Sequence, residues 1–344
     1  MTACLCLALA ATACSAGGGA APNSTGAATR PGSPVPSPAA PLARELQIAP
    51  AAYRLPFAIA REVVLTSGPD LLVVGGLTQQ GTTTRAVFRL DPVTGRAVRA
   101  GHLADPAHDA AGAVLGGRPY LFGGGDQTTI AAVQALSRRG TATVAGQLPG
   151  PRSDLSAVTL GKTAYILGGF DGSAYDAQVL ATTDGSHFRT AARLRLPVRY
   201  AAVAGAGQRI WVFGGVVPSG FTDVIQQVNL ATGKTAIVGH LPAPLSAATG
   251  FTLGGRVFIA GGQAIRHGQL VTSRSVLAYH PARHRVTTAG RLPAPVTNAA
   301  AAALGGTVFL IGGNNGQRQV PAVTRLRLVP VPAAGAAGAP PSPG

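Results

Sequence analysis

The chain has 344 residues, of which 46 % are hydrophobic and only 12 % charged, with 28 Lys and Arg against 12 Asp and Glu for a net charge of +16. All three cysteines, Cys4, Cys6 and Cys14, lie at the extreme N-terminus, so the body can hold neither a disulfide framework nor a Cys-based metal site. All cations but Lys162 and Lys234 are Arg; a polyanion partner or the codon bias of a GC-rich genome accounts for this, but no basic helix or block of like charge gives nucleic acid a footprint.

Residues 3–13 form an apolar run too short to span a bilayer, which reads as the core of a signal peptide over 1–13. Its end, Ala11-Thr12-Ala13-Cys14 followed by Ser15-Ala16-Gly17, resembles a bacterial lipoprotein signal. That resemblance implies a diacylated Cys14 as the mature N-terminus and durable anchoring, because two acyl chains bury many CH₂ groups. Ala11-x-Ala13 fits ordinary cleavage as well, which would release the protein. Residues 14–44 are dominated by Ala, Gly, Pro, Ser and Thr and are expected to be a disordered tether; the Pro/Ala/Gly segment 330–344 reads as a disordered tail.

Between them one phrase recurs: an apolar run ending in a glycine pair. It appears as LLVVGG (71–76), PYLFGG (119–124), AYILGG (164–169), IWVFGG (210–215), VFIAGG (257–262) and VFLIGG (308–313). The first glycines are spaced by 48, 45, 46, 47 and 51 residues. A period in the mid-forties built from short apolar runs signals a propeller with one four-stranded sheet per repeat. Taken in order within the third repeat, the strands are Leu155–Leu160, Thr163–Leu167, Gln178–Thr182 and His187–Leu194. Two-residue turns such as Gly161-Lys162 and Gly254-Gly255 join first to second strands, because glycine accepts the positive φ that such hairpins need. The aromatic column Tyr120, Tyr165, Trp211, Phe258 and Phe309, with Leu72, reads as packing between sheets. After the last glycine pair only one more strand remains, Ala322–Val329. The segment Glu45–Leu55 ends like a fourth strand and is expected to complete the last blade. The fold predicted over 45–329 is therefore an all-β, six-bladed propeller of four-stranded antiparallel blades, closed by the N-terminal strand.

The repeats resemble the kelch-repeat propellers, including the bacterial galactose-oxidase-like branch. The resemblance implies a ligand or protein site on the face where second-to-third-strand loops and blade-to-blade connections emerge. The family's copper oxidases need a Tyr–Cys cross-link, which this body cannot form; sugar mutarotases of this type need only acid–base groups. No phosphate loop, zinc-protease motif or nucleophile elbow is present, and no cofactor, metal or catalytic residue is assigned.

Fourth strands end in an Ala/Gly-x-Leu phrase, as in Ala145-Gly146-Gln147-Leu148 and Ala289-Gly290-Arg291-Leu292, and counting five and six residues beyond each such closing Leu places two columns at the mouth of the central channel. The first is Ala60, His108, Ser153, Arg199, Ser246 and Thr297; the second is Arg61, Asp109, Asp154, Tyr200, Ala247 and Asn298. Glu62 lies beside them. Of these, Arg61, His108, Asp109, Asp154, Arg199, Tyr200 and Asn298 are the candidate ligand-binding residues, a mixture suited to hydroxyl-rich or zwitterionic ligands. The same polar residues could simply cap the inner strands and hydrate the channel. Loop residues Gln79, Gln80, Asp126, Asp171, Phe221, Arg266, His267, Asn314 and Asn315 add variable chemistry to the same face. The expected protein is a monomeric, extracytoplasmic, membrane-anchored binding module for an envelope protein or carbohydrate, touching the membrane only through its lipid. The alternatives are a secreted form, an envelope carbohydrate-active enzyme, and a binder of anionic envelope polymers.

Overall fold

The structure, a computed structural model, describes residues 44–331. The signal segment, Cys14 and nearly all of the tether and tail lie outside the described residues.

Six four-stranded antiparallel sheets follow one another along the chain. The first comprises Val63–Ser67, Asp70–Val74, Ala86–Leu90 and Ala97–His102. The third comprises Ser156–Leu160, Thr163–Leu167, Gln178–Thr182 and Arg189–Arg193, so its outer strand is shorter at both ends than the sequence suggests. The sixth takes Ala300–Leu304, Thr307–Ile311 and Val323–Pro330 from the C-terminal end and Arg44–Pro50 from the N-terminal end. In that closing pair Arg44 faces Pro330 and Pro50 faces Thr324. The strand is thus shorter than the 45–55 expected from sequence. The amide of Ala51 still donates to Val323 O at 2.8 Å; residues 52–54 then leave the ladder in a detour, and the amide of Leu55 rejoins at the carbonyl of Pro321.

Period-2 alternation gives each sheet two apolar faces, and those faces meet between neighbours. Tyr120 and Phe122 of the second sheet pack with Leu155, Ile166 and Leu180 of the third. The same kind of core joins the last sheet to the first: Phe309, Ile311 and Val323 pack with Leu55, Val64, Leu71 and Val73. The first strands of consecutive sheets also touch one another, and Ala300–Leu304 touches Val63–Ser67. The aromatic column is packing, as its chemistry suggests: Phe258 is fully buried and Trp211 nearly so, the indole donating to Gln227 Oε1 at 3.1 Å.

The glycine pairs have a stereochemical cause. Both members have positive φ in every copy. The second amide donates to a carbonyl of the next sheet's entry segment: Gly76 to Ala107, Gly124 to Arg152, Gly169 to Val198, Gly215 to Leu245 and Gly262 to Val296, with Gly313 to Ile59 completing the set at 2.8 Å. That carbonyl occupies the space a side chain on the first glycine would fill. A Cβ on Gly168 would lie 2.4 Å from the Val198 oxygen. Only glycine permits both the backbone angle and this approach.

Candidate functional site

The second mouth column forms the centre of the site. Arg61, Asp109, Asp154, Tyr200, Ala247 and Asn298 all adopt the left-handed conformation, with φ between 51° and 59°. Each sits where the connection from one sheet turns sharply into the first strand of the next. The turn aims every amide at the neighbouring copy. Asp109 N–H donates to Arg61 O, Asp154 to Asp109, Tyr200 to Asp154, Ala247 to Tyr200, Asn298 to Ala247 and Arg61 to Asn298, at 2.8–3.1 Å. The six bonds return to their starting point. The preceding column is pinned to the loop that follows each glycine pair; Arg199 N–H, for example, donates to Val216 O at 3.0 Å.

Inside this circle lies a cavity of about 120 Å³, lined by Arg61, Asp109, Asp154, Tyr200 and Asn298. Behind it, a space of about 450 Å³ is bounded by the first strands of all six sheets, mostly through Val, Ala, Gly and Thr.

Side chains at the circle are tied together across sheets. Arg61 Nη1 donates to Asp109 Oδ2 at 2.7 Å and to Tyr200 Oη at 3.2 Å, and Tyr200 Oη donates to the same Asp109 oxygen at 3.2 Å. Arg199 Nη1 donates to Asp154 Oδ2 at 3.1 Å. His108 stands at the rim, its Nε2 3.6 Å from Asp109 Oδ2 and its Nδ1 2.9 Å from Thr83 Oγ1. His108 and Arg199 therefore hold the lining residues rather than lining the cavity. Asn298 lines it beside Ala247 and Ala299.

Burial and proximity set the protonation. Burial, reinforced by the Asp109 charge, pushes Asp154 up to about 6. Asp109 is also raised by burial, against the pull of Arg61. The two carboxyls act as a coupled pair. Tyr200 is raised by burial and by both carboxylates, so it stays a hydrogen-bond donor. Burial, with help from Arg61, lowers His108 and favours the neutral ring. For Arg61, burial works against the charge, but Asp109 outweighs it and the net direction is upward.

Three features go beyond what the sequence places at the mouth. Arg199 lies against three rings, Phe170 at 5.2 Å, Tyr175 at 5.1 Å and Tyr200 at 5.2 Å, while its buried Nε has no acceptor among the described residues. Phe170 and Tyr175 come from one variable loop and meet edge to face at 5.8 Å. Arg152 is 3 % exposed and pairs closely with Asp176, in a column otherwise filled by Ile59, Ala107, Val198, Leu245 and Val296. Glu62 is 5 % exposed, and neither carboxyl oxygen makes a well-formed hydrogen bond. Burial pushes its carboxyl up to about 8, offset only in part by the amides of Glu62 and Ala300. Its counterparts are Ala110, Leu155, Ala201, Ala248 and Ala299, and its carboxyl lies against Gly312 of the sixth sheet.

No family model and no curated protein matches this chain. Among solved structures it is similar to that of YjhT, with a TM-score of 0.67 over 78 % of this chain and 95 % of that one, at 14 % identity. At that identity the likeness speaks to the all-β fold alone.

Proposed function

We propose that this chain is a kelch-type, six-bladed propeller, anchored to the outer side of the cell membrane through Cys14, that binds a ligand or protein partner at the mouth without catalysis. Six four-stranded sheets, their neighbour-to-neighbour contacts and the circle of six backbone hydrogen bonds support the blade count. The lipobox-like Ala11–Cys14 supports the anchor. Strand Arg44–Pro50 runs toward the mouth over about 20 Å, at about 3.3 Å per residue, so a tether ending at Arg44 would join the opposite end.

One observation carries the binding reading: Arg61, Asp109, Asp154 and Tyr200 converge on one small cavity inside the circle, with Arg199 Nη1 holding Asp154 from behind at 3.1 Å. Saturation-transfer NMR with a panel of reducing sugars and zwitterionic amino acids tests this. A binder should lose its signal with Arg199→Ala and with Asp154→Ala. Binding that survives loss of Arg61, Asp154 and Arg199 together contradicts the site.

The position of Asp154 at about 6 favours a second reading, a carbohydrate-active enzyme using it as a general acid or base. Exchange between sugar anomers, followed by NMR with and without protein, separates the two. Acceleration abolished by Asp154→Asn would replace binding with catalysis.

A further inference from the structure

A cavity flanks the seam where the two ends of the chain share a sheet. It measures about 590 Å³. The corresponding space one sheet earlier, between Pro242, Leu245, Ile259 and Gly261, measures about 50 Å³. At the seam the matching residues are Pro293, Val296, Leu310 and Gly312, so the inner wall is the same. The outer wall differs. In the fifth sheet Thr288 faces Leu277, and Leu292 N–H rejoins at Arg274 O, four residues on. In the sixth, Pro50 faces Thr324, and Leu55 N–H rejoins at Pro321 O, five residues on. The closing strand thus carries one more residue in its bow than the matching strand of the fifth sheet. Tyr53 then occupies the column held elsewhere by Gly101, Gly146, Ala192, Gly239 and Gly290, with its ring against Gly95 and its hydroxyl donating to Pro92 O at 2.9 Å.

The walls of the space are mostly apolar, through Phe57, Leu310, Val323, prolines and the Tyr53 ring, with Gln79, Asn315, Gln319 and Thr324 among the neutral polar residues. Arg54 and Arg318 also line it, and among the described residues neither guanidinium has an ion-pair or hydrogen-bond partner. No Asp or Glu lines it. Its volume falls in the range of small-molecule sites, which are apolar with a few orienting polar groups.

We propose that the seam cavity binds an anionic amphiphile: a small molecule with an apolar body and a carboxylate or sulfonate end. The body fills the space left by the bowed strand, and the anion meets Arg54 and Arg318. It shares no lining residue with the cavity inside the circle, although Gln79 and Asn315 of the variable loops border it.

The probes are anilinonaphthalene sulfonate, read by fluorescence, and decanoate and decanol as competitors of equal chain length. The folded protein should bind the dye at one saturable site, and decanoate should displace it at least tenfold better than decanol. The Arg54→Ala/Arg318→Ala double variant should weaken decanoate at least tenfold and leave decanol within twofold. Ala58→Trp, which fills the space, should abolish both. Equal displacement by decanoate and decanol, or decanoate affinity unchanged in the double arginine variant, overturns the proposal. If Ala58→Trp does not fold, the double arginine variant decides alone, because both side chains are at the surface. Retained dye binding in a folded Ala58→Trp protein would also overturn it.

Discussion

The amide of Arg61 donates to the carbonyl of Asn298 at 3.0 Å, joining the start of the first sheet to the start of the sixth. The other five bonds of the circle join sequential neighbours. This one joins residues 237 positions apart and is made only when the two ends of the described chain come together. The left-handed angle at each member is what turns its amide toward the next. Ala247 tests the point. Ala247→Val puts a β-branched residue at φ 51° and should lower stability by about 1–2 kcal/mol, whereas Ala247→Gly should be tolerated. Urea midpoints measure both, and a neutral valine would show that the angle is not required.

The glycine pair makes a sharper steric prediction. Gly168→Ala should cost about 2–4 kcal/mol, from overpacking against Val198 O plus the strained angle. Gly207→Ala has a similar φ of 58° but open space around it, so only the angular penalty of about 1 kcal/mol applies. Equal losses at the two sites would show that the approach of the neighbouring carbonyl is irrelevant.

Glu62 predicts a pH dependence with a definite sign. Its carboxyl is held at about 8 in the folded protein against 4.5 for the ordinary group. Between those values the folded chain keeps a proton that the unfolded chain has released. Stability contributed by the neutral form is complete below about 4.5 and is lost as pH rises toward 8, at roughly 1.4 kcal/mol per pH unit. Glu62→Gln removes the titration and should stabilise the protein by on the order of several kcal/mol at pH 8, but little at pH 4. Denaturation curves across pH 4–8 would contradict this if wild type and variant ran parallel.

The closing strand should matter in proportion to what it covers. Residues Leu46 and Ile48 pack on the core between the fifth and sixth sheets, and Tyr53 is wedged against the turn of the first. Deleting residues 44–53 should lower Tm by more than 10 °C, because it uncovers an edge and two inter-sheet contacts. Tyr53→Phe removes only the bond to Pro92 and should cost about 1 kcal/mol. An unchanged melting curve after the deletion would make the strand dispensable.

Much of this was readable from the chain. Each apolar run before a glycine pair is the second strand of a four-stranded sheet, and Thr163–Leu167 and Gln178–Thr182 match the sequence reading residue for residue. Counting from each closing Leu found all six members of the circle, because that connection has constant length. What stayed hidden lies where the period breaks. Phe170 and Tyr175 belong to a loop whose length and composition differ between copies, so no column flagged them. Glu62 stood out beside the cluster as a carboxylate, but its burial depends on the neighbouring sheet's Gly312. The bow at residues 52–54 holds a single extra residue between Pro50 and Leu55, which is visible only once the ladder itself fixes the register.

Amide hydrogen exchange at Arg61, Asp109, Asp154, Tyr200, Ala247 and Asn298 tests the closed circle most directly. The account predicts that all six exchange with one common, high protection, and that removing residues 44–53 lowers the six together. Fast exchange at Arg61 and Asn298 beside slow exchange at the other four would mean that the circle is open at the seam.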